Sequence, residues 1–201
     1  MIRALIIDVD GVLVTGRPED GRNWAADLER DLGVNAADLQ REFFARHWDD
    51  IIVGRAKLSE RLSPSLARIA PHVSCDRLIS YWFEKDSRLD SAILNDVAAC
   101  RATGLKICLA TNQEHMRAAY LMNVLGLAER VDGIFYSADL GCRKPEQQFF
   151  RRIEASTSLS PEELLLVDDT PANVDAARDA GWNAVQWSRD LSLSAILADF
   201  R

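Results

Sequence analysis

The chain has 201 residues, 48% hydrophobic and 27% charged, enough to bury a substantial core as one domain or as a domain with an insert. With 24 Lys plus Arg against 31 Asp plus Glu, its net charge of -7 excludes the concentrated basic footprint that general nucleic-acid binding needs. The only apolar run before Asp8, at 4–7, is too short for a signal-peptide core, and no stretch reaches the length of a membrane span. Cys75, Cys100, Cys108 and Cys142 form no C-x-x-C pair and have no zinc-like spacing. The expectation is a soluble cytoplasmic protein with reduced thiols.

In chain order, residues 2–14 read as a buried strand and its exit. Residues 17–87 carry helical periodicity and no convincing strand. Helices are expected near 23–32, 36–52, 57–69 and 75–86, with breaks at Gly33, Gly54 and Pro71. Trp24, Trp48, Trp82, Phe43, Phe44 and Phe83 all fall here, and most of that aromatic surface suits the insert's own core. From about residue 90, short apolar runs at 105–110, 133–136, 164–167 and 184–187 alternate with amphipathic segments of helix length. Runs of this kind suit parallel strands covered on both faces. Gly104, Gly126 and Gly181 each close a helical segment, where glycine adopts the left-handed conformation without strain. Ser160-Pro161-Glu162-Glu163 and Thr170-Pro171 read as helix starts. The alternation predicts an α/β doubly wound parallel sheet interrupted by a small helical insert.

In an open parallel sheet, ligands bind beyond the carboxyl ends of the strands. The first strand runs into Asp8-Val9-Asp10-Gly11, whose two acids face one way if the chain stays extended. Thr111-Asn112-Gln113 follow the second run, with a helix to about residue 125 expected to begin at Asn112. Arg143-Lys144-Pro145 follow the third, with Pro145 expected at a first helical position, and Asp168-Asp169 follow the fourth. Clustered carboxylates do not all stay ionised without a cation, and an all-oxygen donor set suits Mg²⁺. Thr111, the helix start at Asn112 and Lys144 are the candidate anion-binding groups. Each loop alone has an ordinary explanation as a turn, a helix cap or a surface lysine. Their joint occurrence at successive strand ends is more specific.

The set resembles the haloacid dehalogenase-like hydrolase superfamily. D-x-D-G appears as Asp8 to Gly11, the strand-closing Thr as Thr111, Lys-Pro as Lys144-Pro145, and the acidic pair as Asp168-Asp169, all in the family's order. The resemblance implies a Rossmann-like core from residues 1–16 and 88–201, with 17–87 as an α-helical cap. It implies a Mg²⁺-dependent phosphatase acting on a small phosphorylated metabolite, such as a sugar phosphate, through an aspartyl-phosphate. Asp8 would be the nucleophile and Asp10 the acid/base. Thr111, the Asn112 backbone N–H and Lys144 would bind the phosphoryl group. Asp8, the Asp10 carbonyl, Asp169 and Asp168 would hold the metal, with Asn173 orienting the acidic pair. Within the cap, Arg55, His47 and Trp48 are candidates for substrate contact.

Dehalogenases of the superfamily lack the second acid and need no metal, so Asp10 and Asp169 argue against that chemistry. The same fold also serves phosphomutases, which return the phosphoryl group to a bound sugar phosphate, and a non-catalytic homologue would keep the fold without turnover. No nucleic acid or membrane is expected as a partner, and the chain is expected to be a monomer or a weak homo-oligomer. Where the capped subfamily often places an acid soon after the first motif, this chain has Thr15-Gly16, which leaves cap entry open.

Overall fold

In the computed structural model, which describes residues 1–200, the first apolar run forms β1 (Ala4–Ile7), with all its residues buried. The chain then enters the helical insert. A 3-10 turn at Trp24–Asp27 runs into α1 (Leu28–Leu32). The segment expected as one helix at 36–52 is α2 (Ala36–Leu39), a π-helical stretch at Gln40–Phe44 and α3 (Ala45–Ile51). Next come α4 (Leu58–Ile69) and α5 (Cys75–Lys85). Leu28, Phe43, Ile51, Leu62, Leu66, Ile79 and Trp82 fill a hydrophobic cluster that belongs to the insert, apart from Tyr120 at its edge.

After the insert come α6 (Ser91–Ala102), β2 (Lys106–Thr111), α7 (His115–Ala119), β3 (Gly133–Tyr136) and α8 (Ser137–Leu140). The chain finishes with α9 (Gln147–Thr157), β4 (Leu164–Asp168), α10 (Pro171–Asp179), β5 (Asn183–Gln186) and α11 (Leu193–Ala198). All strand pairs are parallel, in the order β3-β2-β1-β4-β5. Alternate residues face opposite sides of the sheet. Leu5, Ile7, Leu109 and Val167 pack with Ile93 and Val97 of α6 and Ile196 of α11. Ala4, Ile6, Ala110 and Leu166 pack on the other side with Phe149 and Ile153 of α9 and Val174 of α10. The winding reverses between β1 and β4, so their carboxyl ends flank the crevice of a doubly wound sheet.

Two adjacent segments connect core and insert. Thr15 N–H donates to the Arg88 carbonyl at 2.9 Å, Arg88 N–H to Gly16 at 3.0 Å and Asp90 N–H to Leu13 at 2.9 Å. Entry is held by Arg17, buried at 6% exposure, whose guanidinium reaches Asp20 at 2.5 Å and Asp27 at 2.5 Å. A buried cation with two carboxylates thus secures the turn after Thr15-Gly16.

Element boundaries depart from expectation mainly at the reaction edge. β2 and β4 extend to Thr111 and Asp168, because polar residues close the strands after the apolar runs stop. The Ser160-Pro161 start opens only a 3-10 turn at Pro161–Glu163, since Leu164 already pairs in the sheet. Thr170-Pro171 does start α10. Phe149 is fully buried with its ring edge-on to Phe150. Phe149→Ala should lower the unfolding free energy by about 3–5 kcal/mol, measured by urea denaturation.

Candidate active site

Lys144 joins the ends of the two strands that flank the crevice. Its ammonium, 2% exposed as a residue, lies 3.0 Å from Asp8 Oδ1 and donates to Asp168 Oδ2 at 2.5 Å and the Ala110 carbonyl at 2.7 Å. Burial alone would lower its pKa, but the two carboxylates outweigh that and hold it above the ordinary value. Asp168 is fully buried and receives the Thr170 N–H at 2.9 Å and Asn173 Nδ2 at 3.0 and 3.1 Å. Its oxygens are therefore occupied by protein donors. The buried Asn173 thus holds both oxygens of the first acid of the pair.

Asp8 is the first residue beyond β1. Its Oδ1 accepts the Val9 N–H at 2.7 Å as well as facing Lys144, while Oδ2 has no partner among the described residues. Burial pushes its pKa up to about 7 against the pull of Lys144, and Asp168 and Asp10 add to the rise. The Asp8, Asp168 and Asp169 carboxylates each present an oxygen within 4.8 Å of the others. Three hard oxygen donors at this separation, on two strand ends, can hold a divalent cation.

The Asp10 carboxylate lies outside that group. A tight turn carries it away from the strand line: Val9 O accepts the Leu13 and Val14 N–H groups at 2.8 Å, and Gly11 N–H donates to Val14 O at 2.8 Å. Among the described residues no N–H donates to the Asp10 carbonyl, which leaves that oxygen available as a metal ligand. Asp10 is exposed as a residue, but protein packs around its carboxyl. Burial raises its pKa to about 6, Asp86 adds to the rise, and Arg117, Gln113 and Lys144 oppose it. Gln113, which sequence reasoning passed over as a loop residue, donates from Nε2 to Asp10 Oδ2 at 2.5 Å. Gly11 completes the turn at φ +81°, and a Cβ there would lie 2.1 Å from Asp169 Oδ2. The glycine of D-x-D-G is thus required by the close approach of the second acid as well as by its own backbone.

Thr111, 1% exposed, has no side-chain hydrogen bond among the described residues, so its hydroxyl is uncommitted. Asn112 does not begin a helix. Glu114 caps α7, and its carboxylate takes the N–H groups of Met116 and Arg117, so that helix end is already occupied by an anion. The Asn112 side chain instead clamps the Lys144 backbone, accepting its N–H at 2.9 Å and donating to its carbonyl at 3.0 Å. Pro145 likewise does not open a helix, since α9 begins at Gln147.

The insert meets this edge at its α3 end. Asp49 pairs with Arg143 at 2.7 Å, the Ile52 carbonyl accepts the Ser137 hydroxyl at 2.5 Å, and Gly54 lies flat against Ala138. Arg55 is turned to Asp50 at 2.9 Å, His47 lies beside Phe43, and Trp48 packs with Phe44 and Trp82. None of the three hydrogen-bonds to the strand-end groups in this structure. The four cysteines are free, and among the described residues no helix is long and apolar enough to cross a membrane.

A family model described as haloacid dehalogenase-like hydrolase matches residues 2–181. The chain belongs to this family. Among curated members, it is similar to a phosphoglycolate phosphatase of Rhodospirillum rubrum, 27% identical over 90% of this chain and 77% of that one. A phosphoglycolate phosphatase of Pectobacterium atrosepticum is 25% identical over 92% and 79%. Among solved folds, a haloacid dehalogenase family enzyme of Bacteroides thetaiotaomicron, in complex with magnesium and inorganic phosphate, superposes with a TM-score of 0.80. It covers 98% of this chain and 99% of its own at 15% identity.

Two outcomes follow from this geometry. Gly11→Ala should cost about 1–2 kcal/mol from the left-handed backbone alone. By displacing Asp169 it should also reduce any rise in melting temperature on adding Mg²⁺ to the parent, read by thermal denaturation with and without the ion. A carboxyl whose folded pKa is raised loses stabilisation as pH climbs from its unfolded value to its folded one. The metal-free Asp10→Asn protein should therefore gain stability relative to the parent as pH rises from about 4 to about 6, with the gap constant above that, measured by urea denaturation from pH 4 to 8.

Proposed function

We propose that this protein is a Mg²⁺-dependent phosphomonoester hydrolase that acts on a small phosphorylated metabolite through an aspartyl-phosphate. The observation that carries the reading is the buried Lys144 ammonium shared by Asp8 and Asp168, with Asp169 beside them and a second acid, Asp10, held apart. Asp8 Oδ1 is engaged by Val9 N–H and Lys144, which leaves Oδ2 as the nucleophile. Its attack forms the Asp8–phosphorus bond while the bond to the leaving oxygen breaks, and Asp10 gives that oxygen a proton. Asp10 then takes a proton from the water that attacks phosphorus, which frees phosphate and the Asp8 carboxylate.

The Thr111 hydroxyl and Lys144 bind phosphoryl oxygens, and Asn112 pins the Lys144 backbone so that its ammonium is placed before substrate arrives. Asp8, Asp169 and the Asp10 carbonyl would hold the metal. Asp168, whose oxygens already accept from Lys144, Thr170 and Asn173, anchors Lys144 beside that group. When bound, Mg²⁺ supplies positive charge that offsets the clustered carboxylates and the phosphoryl oxygens.

Residues 17–87 act as a cap that excludes water and contacts the leaving group. Phosphoglycolate is the first ester to test, because that substrate names relatives aligned over most of this chain. The chemistry needs both the second acid and the metal group, which a dehalogenase does not use. Purified protein should release phosphate from p-nitrophenyl phosphate and from phosphoglycolate with Mg²⁺, and lose the activity with a chelator. Asp8→Asn should reduce kcat by about 10³-fold or more with the fold retained by circular dichroism. Activity that survives either treatment would contradict the reading.

A further inference from the structure

Gln113 joins Asp10 to the contacts that seat the helical insert on the core. It is buried at 5% exposure, and its Nε2 donates to Asp10 Oδ2 at 2.5 Å. Its own carbonyl accepts the Ala138 N–H at 3.1 Å and lies 3.2 Å from the Ser137 hydroxyl, which donates to the Ile52 carbonyl of the insert at 2.5 Å. Ser137 is fully buried, so this junction is dry. On the other side, Glu114 caps the short helix that carries Arg117. The Arg117 guanidinium, buried between the rings of Phe83 and Tyr120, donates to the carbonyls of Phe83 and Asp86 where the insert returns to the core. Gln113 therefore sits between two places where core and insert touch, and its backbone carbonyl is held at the first of them.

We propose that Gln113 is a positioning residue for Asp10, holding one carboxyl oxygen so that the other faces the leaving group; the proposal rests on the reading of Asp10 as the acid. The chemistry follows from what an amide can do. A side-chain NH₂ is only a donor, so the carboxyl oxygen it meets must be an acceptor. The transferable proton is thereby favoured on Oδ1, which has no partner among the described residues. Without the amide, either oxygen can carry the proton and the carboxyl is free to rotate. The acid is then present but misdirected, and proton transfer to the leaving group suffers most where that group needs it most.

Leaving-group dependence tests this directly. kcat/KM is measured with Mg²⁺ over a series from 2,4-dinitrophenyl phosphate, whose phenolate departs without a proton, to phenyl phosphate and an alkyl phosphate, whose oxygens require one. Gln113→Met keeps the side-chain length and removes the donor. Its kcat/KM should fall by about 10²-fold on the alkyl ester against only about 3-fold on the dinitrophenyl ester, so that the loss grows along the series. Asp10→Asn should show the same trend, more steeply. A Gln113→Met loss that is uniform across the series, or no loss at all, overturns the proposal even if Asp10→Asn behaves as an acid should. A uniform loss in Asp10→Asn overturns the acid role itself and the proposal with it. Because the comparison is made between substrates within one variant, partial misfolding lowers every value alike and cannot imitate the trend.

Discussion

Lys144 is the charge around which the reaction edge is assembled. An ammonium at 2% exposure cannot stand alone, and three oxygens satisfy it: the carboxylates of Asp8 and Asp168 and the Ala110 carbonyl. Those oxygens come from the ends of β1, β4 and β2, so one cation ties three strands at their carboxyl edge. Taking one partner from a buried pair typically costs about 3–5 kcal/mol, because the remaining charge is left uncompensated. That penalty explains why the lysine's own backbone is held from outside by Asn112, and why Asn173 and Thr170 close the remaining positions on Asp168. The arrangement spends stability on placing charges where a phosphoryl group would meet them.

The two acids of the first loop differ because the backbone separates them. Asp8 continues the strand and faces Lys144. Asp10 is drawn aside by the turn around the Val9 carbonyl and meets Gln113. One carboxylate is thereby placed beside a cation, where the proposed mechanism uses it as the nucleophile. The other, with its pKa raised to about 6, can both give and take a proton near neutrality. Gly11 permits the turn and gives Asp169 its space. Backbone shape, more than residue type, assigns the roles.

Much of this was legible in the sequence, for physical reasons. Strands buried on both faces leave continuous apolar runs, and in such a sheet ligands bind at the carboxyl ends, so the four loops could be picked out without coordinates. The family resemblance then named Asp8, Asp10, Thr111, Lys144 and Asp169 together. What stayed hidden depended on contacts distant in the chain. Asn112 looked like a helix start, but its partner is the Lys144 backbone, 32 residues away. Gln113 carried no motif signal, since its carboxylate partner lies 103 positions earlier. Arg17 as the clamp at the insert's entry was equally invisible. Its partners Asp20 and Asp27 belong to no motif, and only the fold wraps them around it. The cap candidates His47 and Trp48 rest on residue type and Arg55 on its place at a helix break, and here all three pair or pack within the insert.

The proposed mechanism turns on a covalent bond from Asp8 to phosphorus. Acid quenching during turnover with Mg²⁺, followed by peptide mass spectrometry, tests it most directly. The expected result is one phosphoryl group on the peptide that contains Asp8, formed only with substrate and absent from Asp8→Asn. Phosphoryl transfer to another side chain, or full turnover with Asp8 never modified, would contradict it.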